Sequence, residues 1–194
     1  MKSPIKSAGC LFTFAALGAL CSCKVVPVPP VPAVPARPAA PVLYEWQGAE
    51  LPGPVAMSID LSEQKGTITR GGEPAGWTYV ATGVPGRGTP TGSFSITEKV
   101  RDKHSNSWGR IVDADGDTVV RDAKNGRDSV PAGGRFVGAP MPFWMRVNGA
   151  IGMHAGPIPH PGSPASHGCI RLPAGMAEIL FGVTTVGTRV RIVP

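Results

Sequence analysis

Alternating apolar and polar residues predict a series of short β-strands along most of the chain. The clearest segment spans residues 54–62, where every second residue is apolar, as in a half-buried strand. Further strands are predicted where β-branched and aromatic residues concentrate between turn residues. These segments are residues 67–70, 77–82, 94–100, 109–112, 118–121, 143–147, 150–154 and 189–193.

One helix is predicted, over residues 174–181. Its apolar run follows Pro173, which suits the start of a helix, and Gly182 is expected to end it. The acidic stretch at residues 113–117 predicts a hairpin turn, because it lacks the glutamate that closes an EF-hand calcium loop. High glycine and proline counts, 26 and 22, favour a turn-rich, mostly β domain over a helical bundle.

The N-terminal segment has the pattern of an export signal. Lys2 and Lys6 precede an apolar run, residues 11–20, that is too short to cross a bilayer as a helix. The next residues resemble a bacterial lipobox, in which Cys23, preceded by Ser22, becomes lipidated. Residues 1–22 are therefore predicted to be a lipoprotein-type signal peptide, with plain secretion by cleavage near Ser22 as the alternative.

A proline-rich spacer is predicted to follow the lipidated cysteine. Residues 23–42 contain too many prolines for a helix or a central strand. They are expected to form a polyproline II spacer, or a looser disordered tether, ahead of a folded domain at residues 43–194. The net charge of +6 suits an anionic polymer, and no basic cluster interleaved with aromatic residues indicates nucleic-acid binding.

Cysteine usage points to a reactive thiol. Cleavage before Cys23 would remove Cys10 and Cys21 and leave Cys169 as the only free thiol in an oxidising compartment. His154 lies far enough back in sequence to face this thiol from a neighbouring strand, and such an imidazole would hold the sulfur ionised at neutral pH. Gly168 would let backbone N–H groups converge on an oxyanion.

Two other interpretations of the same segment remain open at this point. Three histidines and one cysteine could bind zinc, although their spacing does not match a module of paired ligands. Alternatively, the residues could be a buried cysteine and hydrogen-bonded histidines in a structural loop. The four residues concerned are His154, His160, His167 and Cys169.

The motifs as a set resemble the L,D-transpeptidase catalytic-domain (YkuD-type) family. The sequence Ser166-His167-Gly168-Cys169-Ile170-Arg171-Leu172, preceded by Gly152-Met153-His154, is similar to its active-site signature. Residues 59–64, 81–83, 89–94 and 187–190 resemble other family segments in the same order, with Ala81 in place of the usual Ser. The resemblance covers nearly all of residues 54–194 and implies a mixed, largely antiparallel β-sandwich with one or two short helices.

The resemblance also implies roles for individual residues. Cys169 would attack the carbonyl after the L-centre of diaminopimelate in a donor tetrapeptide, releasing D-Ala, and His154 would be the general base, oriented by the carbonyl of Ala155. His167 would shape the pocket, and its backbone with those of Gly168 and Cys169 would supply oxyanion donors. The last two residues are Ser166, expected to hydrogen-bond within the loop, and Arg171, expected to bind a substrate carboxylate or form a structural salt bridge.

The implied function is an L,D-transpeptidase that acts on peptidoglycan stem peptides through a Cys thioester, forming 3→3 crosslinks or related amide bonds. The alternatives are an L,D-carboxypeptidase that uses water, and a non-catalytic wall-binding lipoprotein. No cofactor or metal is expected, and the expected partners are stem peptides and, through the lipid anchor, a membrane. A monomer in the cell envelope is expected, facing the periplasm, with the outer membrane favoured because Lys24 rather than aspartate follows the lipid site.

One region departs from the family pattern. Residues 102–143 form a polar, glycine-rich excursion. It is predicted to be a hairpin and loop over the cleft, acting either as a substrate lid or as a surface excursion with no catalytic role.

Overall fold

The computed structural model describes residues 40–194, so the predicted signal peptide, Cys23 and most of the predicted spacer lie outside the described residues. In this range the chain forms eleven strands and one helix, and that helix is not long and apolar enough to span a membrane. In chain order the elements are β1 (Tyr44–Trp46), β2 (Val55–Asp60), β3 (Lys65–Arg70), β4 (Glu73–Tyr79), β5 (Gly92–Ser95), β6 (Glu98–Val112), β7 (Thr118–Lys124), β8 (Arg135–Asn148), β9 (Ile151–Ala155), β10 (Ile170–Leu172), α1 (Ala174–Val183) and β11 (Arg189–Val193).

The strands form two mixed sheets. The first has six strands in the order β1-β4-β3-β2-β11-β5, and the second has five in the order β10-β9-β8-β6-β7. Neighbours are antiparallel except β2 with β11 and β9 with β10, which are parallel. The mostly β, largely antiparallel fold class predicted from the sequence is confirmed.

The core lies between the two sheets and is closed by α1. In β2 the side chains alternate between buried and partly buried, as the apolar-polar pattern predicts. Side chains from both sheets and from the helix meet in one cluster that includes Met57, Ile59, Met145, Met153 and Leu180. Burying each such side chain stabilises the fold by about 1.5–3 kcal/mol relative to leaving it in water.

The helix α1 runs past its predicted end. Gly182 does not stop it, and the helix continues to Val183 because other groups satisfy its last carbonyls. The Thr184 N–H and hydroxyl both donate to the Leu180 carbonyl oxygen, at 3.0 and 2.6 Å. The Lys99 ammonium donates to the carbonyl of Phe181 at 2.6 Å and to that of Thr184 at 2.5 Å. A cation from β6 therefore terminates the helix, where glycine was expected to do so.

The excursion at residues 102–143 contains the predicted hairpin, formed by β6 and β7, and a connection over residues 125–134. It contributes most of β6, all of β7 and the first part of β8, so parts of three strands of the second sheet come from the excursion. The predicted turn at 113–117 lies between β6 and β7. Pairing of β6 with β8 is interrupted between His104 and Gly109, where the intervening residues bulge from the ladder. This bulge positions polar and aromatic side chains beside the candidate site.

Candidate active site

The parallel pairing of β9 with β10 brings the predicted nucleophile and base together. His154 lies beside Arg171 in this pair, and Cys169 directly precedes β10. The Cys169 Sγ lies 3.9 Å from the carbonyl oxygen of Ala150, the residue directly before β9. Both His154 and Cys169 line one cavity of about 450 Å³, called here the cysteine cavity. A thiol and an imidazole thus share a cavity, as the interpretation of a nucleophile with its base requires.

His154 is held as an imidazole with its Nε2 unprotonated. Its side chain is 7% exposed, and its Nδ1–H donates to the Ala155 carbonyl oxygen at 2.8 Å, the contact that the family resemblance implied. Because a carbonyl oxygen only accepts, the neutral ring carries its proton on Nδ1. Burial lowers the pKa of His154 from its ordinary 6.5 and nearby Arg171 lowers it further, while the Ala155 contact opposes them. The ring is therefore neutral, and able to accept a proton, at pH 7.

The Cys169 sulfur is partly exposed in the cavity and is not sealed within the core. Burial raises the pKa of the Cys169 thiol above its ordinary 9.0, and the opposing effects of the Gly152 backbone and the Arg171 charge are smaller. The sequence predicted an ionised sulfur at neutral pH, whereas this burial favours the protonated thiol. Low-polarity surroundings disfavour the thiolate, so the proton stays on sulfur until a base removes it.

Ser166 fixes the loop that carries the sulfur. Its hydroxyl donates to the Cys169 carbonyl oxygen at 2.5 Å and accepts the Gly168 N–H at 3.0 Å. The predicted hydrogen bonding of Ser166 within the loop is therefore present. The same contact engages the Gly168 N–H, which was expected to serve an oxyanion. Among the described residues, no hydrogen bond engages the Cys169 N–H, so that group is the better donor for the role.

Thr89 ties this loop to a second one, a contact that the sequence motifs alone did not reveal. The Thr89 hydroxyl accepts the Gly83 N–H at 3.0 Å and donates to the Gly168 carbonyl oxygen at 2.8 Å. A Cβ added to Gly83 would lie 2.0 Å from the Arg87 carbonyl oxygen and 2.9 Å from the Gly168 Cα. Only glycine allows this approach of the two backbones. The Thr-Pro and Thr-Gly motifs therefore hold the cysteine loop in place.

Gln64 supports the same region from the first sheet. It is 2% exposed and has a left-handed backbone, with φ of 52°. Its side-chain amide donates to the Thr82 hydroxyl at 2.7 Å, and its side-chain oxygen accepts the Thr82 N–H at 2.8 Å. Since buried polar groups are costly unless paired, this closed pair of bonds specifies where residues 82–83 lie.

His167 is clamped by residues of the excursion. Its ring stacks on Trp108 with centroids 4.0 Å apart and an angle of 2° between planes, and its Nε2 lies 3.2 Å from Asp122. The Arg87 guanidinium lies 4.4 Å from the centre of the Trp108 ring. Neither Trp108 nor Asp122 carries a motif signal, so only the fold reveals their contact with the cysteine loop.

Arg171 has a side chain without a partner. Its stem packs on Gly156, and its guanidinium makes no hydrogen bond or ion pair with any of residues 40–194. Burial lowers the pKa of Arg171, while Asp122, and Cys169 when its thiol is ionised, raise that pKa by less. The structural salt bridge that was one of its two predicted roles is therefore not formed within the described residues. The Arg171 side chain lines the cysteine cavity, and its N–H donors remain available to a substrate.

Trp144 is a further cavity residue that the sequence did not single out. It is 2% exposed, and its indole N–H is the one buried side-chain polar group without a hydrogen-bond partner in the described range. Its ring packs on Gly152, where an added Cβ would come within 2.6 Å. The strand position beside the sulfur must therefore be glycine to admit the indole.

The zinc interpretation finds no support in the geometry of the described residues. His160 is exposed and does not line the cysteine cavity, so the three histidines do not converge. No group of three or more His, Cys, Asp or Glu residues in the described range is arranged to hold a metal ion.

The excursion forms one wall of the cysteine cavity. Residues 105–108 from the bulge in β6 and residues 139–141 from β8 line it together with Cys169. Residues 102–143 therefore contact the cavity, and whether they act as a substrate lid or as a surface excursion with no catalytic role stays a prediction. The excursion residues that line the cavity belong to β6 and β8 of the second sheet.

The fold and the cavity define a class of protein, namely a β-sandwich that presents a thiol and an imidazole in one cavity of about 450 Å³. The chain belongs to the YkuD family, described as the L,D-transpeptidase catalytic domain, whose sequence model matches residues 54–192. Members of this family are acyltransferases that act on peptidoglycan. No curated protein sequence matches the chain.

Solved structures share the fold. An L,D-transpeptidase from Enterococcus faecium, determined as a Cys-to-Ser mutant, has a TM-score of 0.55 at 24% identity, covering 74% of this chain and 51% of that one. One from Mycobacterium smegmatis has a TM-score of 0.54 at 20% identity, covering 72% and 58%. An L,D-transpeptidase in complex with imipenem has a TM-score of 0.53 at 26% identity, covering 72% and 58%. The chain thus spans little more than half the length of these proteins.

Proposed function

We propose that this protein is an L,D-transpeptidase that forms a thioester between Cys169 and a peptidoglycan stem peptide and transfers the acyl group to an amine. The observation that carries the proposal is the cysteine cavity, which His154 and Cys169 line together. The neutral state of both side chains at pH 7 fits a base that takes the thiol proton during attack, rather than before it.

The acylation step follows from the tautomer of His154. Nε2 accepts the proton of the Cys169 thiol as the sulfur attacks the carbonyl after the L-centre of diaminopimelate. The oxygen of the tetrahedral intermediate takes the negative charge, and the Cys169 N–H is a donor available to it. When the intermediate collapses, the carbon–nitrogen bond breaks and the D-Ala amine leaves with the proton held by His154. The product is the thioester.

The acceptor used in the second half-reaction distinguishes an L,D-transpeptidase from an L,D-carboxypeptidase. An acceptor amine attacks the thioester carbonyl, His154 removes its extra proton, and the carbon–sulfur bond breaks to regenerate the thiol. With a stem-peptide amine the product is a 3→3 crosslink, whereas with water it is a trimmed stem, the outcome of an L,D-carboxypeptidase. Arg171 is proposed to bind a substrate carboxylate, because its half-buried guanidinium lacks any partner among the described residues.

The first test is acylation by imipenem, with which one of the related L,D-transpeptidases was solved. Incubation of the pure protein is expected to add one imipenem mass, located on Cys169 by peptide mass spectrometry. The matched control is Cys169→Ser, which keeps the shape of the side chain and loses the thiol. An active, folded preparation without an adduct would overturn the proposal.

Digestion of muropeptides after incubation with the protein separates the alternatives. A new crosslinked species supports the transpeptidase, and a shortened stem without a crosslink supports the carboxypeptidase. Unchanged muropeptides, together with peptide binding that survives Cys169→Ser, would indicate the non-catalytic wall-binding lipoprotein.

A lipid anchor on Cys23 is part of the proposal, although it lies outside the described residues. The signal-peptide pattern of residues 1–22 and the proline-rich spacer to residue 42 support export and tethering at the periplasmic face of the envelope, preferably the outer membrane. The mature protein isolated from cells is expected to begin at Cys23 with added lipid mass, and Cys23→Ser is expected to lose it. An unmodified mature N-terminus at another residue would count against the anchor.

A further inference from the structure

The cysteine cavity has a positive charge that the acylation step does not use. Three cationic side chains line it, those of Lys103, Arg146 and Arg171, and no carboxylate of residues 40–194 lines it. A cleft lined by one sign of charge attracts ligands of the opposite sign. The charge of the cavity therefore indicates a ligand that carries carboxylates.

Of the three cations, Arg146 is already neutralised within the protein. Its Nε donates to the Glu98 carboxylate at 2.5 Å, and its Nη1 donates to the Gly149 carbonyl oxygen at 2.5 Å. Lys103 is half-buried, and its ammonium forms no hydrogen bond or ion pair within residues 40–194. The same holds for the Arg171 guanidinium. Two cations of the cavity are therefore available to a ligand.

An irregular backbone position places Lys103 on the face of the sheet that lines the cavity. Met141 and Trp144 both line the cavity, whereas regular alternation would place residues three positions apart on opposite faces of β8. Phe143, between them, has a left-handed backbone with φ of 58°, which is unfavourable for a bulky residue. Lys103 lies directly opposite Met141 in the pairing of β6 with β8, so the two side chains share a face. Strain of this kind is characteristic of functional sites.

Lys103 and Arg171 belong to strands that are not neighbours. In the second sheet β6 and β10 are separated by β8 and β9. Since adjacent strands are about 4.8 Å apart, the two backbones are separated by roughly 14 Å across the sheet. The rings of Trp144 and His154, with centroids 6.1 Å apart, occupy the two intervening strands. Two carboxylates at separate points of one ligand fit this arrangement.

We propose that Lys103 binds the carboxylate at the far end of the diaminopimelate side chain of the donor, while Arg171 binds the carboxylate of the departing D-Ala. This inference rests on the proposed thioester mechanism and assigns the donor that the mechanism takes. The bond that breaks lies between these two carboxylates, one on the acyl side and one on the leaving side. Binding both would hold the carbonyl carbon in place for attack by the Cys169 sulfur.

The consequence of this contact is discrimination among donors. A stem peptide with lysine in place of diaminopimelate has no carboxylate at this point and would bring a second ammonium towards Lys103. A stem amidated at the far carboxylate loses the charge but keeps the shape. Both are expected to be poor donors, the first because of repulsion and the second because a charged hydrogen bond is lost.

The test compares two donors that differ only at this carboxylate. The protein is supplied with the tetrapeptide, or with the same peptide amidated at the far carboxylate of diaminopimelate, and release of D-Ala gives kcat/KM for each. The wild type is expected to favour the acid donor about tenfold or more, the effect of one charged hydrogen bond. In Lys103→Met this preference is expected to disappear, because the variant and the amide remove the same contact. Lys103→Arg, which keeps the charge, is expected to restore it in part.

A matched control uses another lysine of similar burial. Lys65 is also half-buried, but it lies on β3 of the first sheet and does not line the cysteine cavity. Lys65→Met is expected to keep the wild-type preference for the acid donor. A third donor, amidated instead on the stem residue before diaminopimelate, is expected to give the same ratio to the acid donor in Lys103→Met as in the wild type. A change in that ratio would assign Lys103 to the other carboxylate and overturn the inference.

Imipenem separates this inference from the proposed function. An imipenem adduct on Cys169 in Lys103→Met shows that the variant is folded and that its thiol reacts, and Lys103→Gln takes its place if no adduct forms. An unchanged preference for the acid donor in a variant that forms the adduct overturns the inference and leaves the proposed function standing.

A binding measurement decides the case in which no D-Ala is released from any donor. The acid and amidated tetrapeptides are titrated into the Cys169→Ser protein and followed by NMR. Tighter binding of the acid, lost when Lys103→Met is added, supports the contact. Equal binding of the two peptides, or no binding of either, overturns it, whatever the fate of the proposed function.

Discussion

Replacing His154 with Gln is expected to slow acylation of Cys169 by about 10²–10⁴-fold, the usual contribution of a general base. Glutamine keeps a polar side chain of similar length but cannot take the thiol proton. The resting thiol is protonated, because burial raises the pKa of Cys169, so the reaction depends on that transfer. The rate of imipenem adduct formation, followed by mass spectrometry over time, measures the effect.

The acylation rate is also expected to depend on pH differently in the wild type and in His154→Gln. The base must be neutral, and burial lowers the pKa of His154 from 6.5, so wild-type acylation should hold through pH 7 and decline only below 6.5. In His154→Gln this acid limb should vanish. The residual rate should instead rise with pH as the thiol ionises, in a range above its ordinary 9.0.

The control for this experiment is His160→Gln. His160 lies in the connection between β9 and β10 but is exposed and outside the cysteine cavity. The His160→Gln protein should be acylated by imipenem at the wild-type rate. A His154→Gln protein that acylates as fast as this control would show that the base is another group.

Replacing Gly83 with Ala is expected to damage both stability and acylation, although the residue does not line the cysteine cavity. The new Cβ would press on the Arg87 carbonyl oxygen and the Gly168 Cα, both rigid backbone atoms. Overpacking of this kind lowers the free energy of unfolding by about 1–3 kcal/mol. Displacing the cysteine loop by about 1 Å is expected to slow acylation on the order of 10²-fold.

Denaturant unfolding and the acylation rate, measured on the same preparation, check this prediction. Gly88→Ala is the matched control, because a Cβ there meets nothing within 4 Å in the same loop. It should match the wild type in both measurements. Wild-type acylation in Gly83→Ala would mean that the Gly83–Gly168 contact does not position the sulfur.

The parts of this structure that the sequence predicted are those with a local signal. Period-two alternation predicted β2, and Pro173 with the apolar run after it predicted the start of α1. The cysteine motif with its upstream histidine predicted which residues would share a cavity. In contrast, β1 and β10 have three residues each, too few for any period to be recognised.

The rest of the candidate site depends on contacts between distant segments. Thr89 and Gly168 are 79 positions apart, and Asp122 and His167 are 45 apart. No spacing rule connects such pairs, because they meet only after the sheets have formed. The motif likewise could not show that the Gly168 N–H is engaged by Ser166, or that burial keeps the Cys169 thiol protonated.

The parallel pairing of β9 with β10 has a practical consequence for engineering the protein. Parallel neighbours cannot be joined by a tight hairpin, so the connection has to leave the sheet and return. Its middle, residues 159–164, is exposed. An affinity tag or a fluorescent reporter inserted there is expected to be tolerated, because the pairing of β9 with β10 on either side does not depend on these residues.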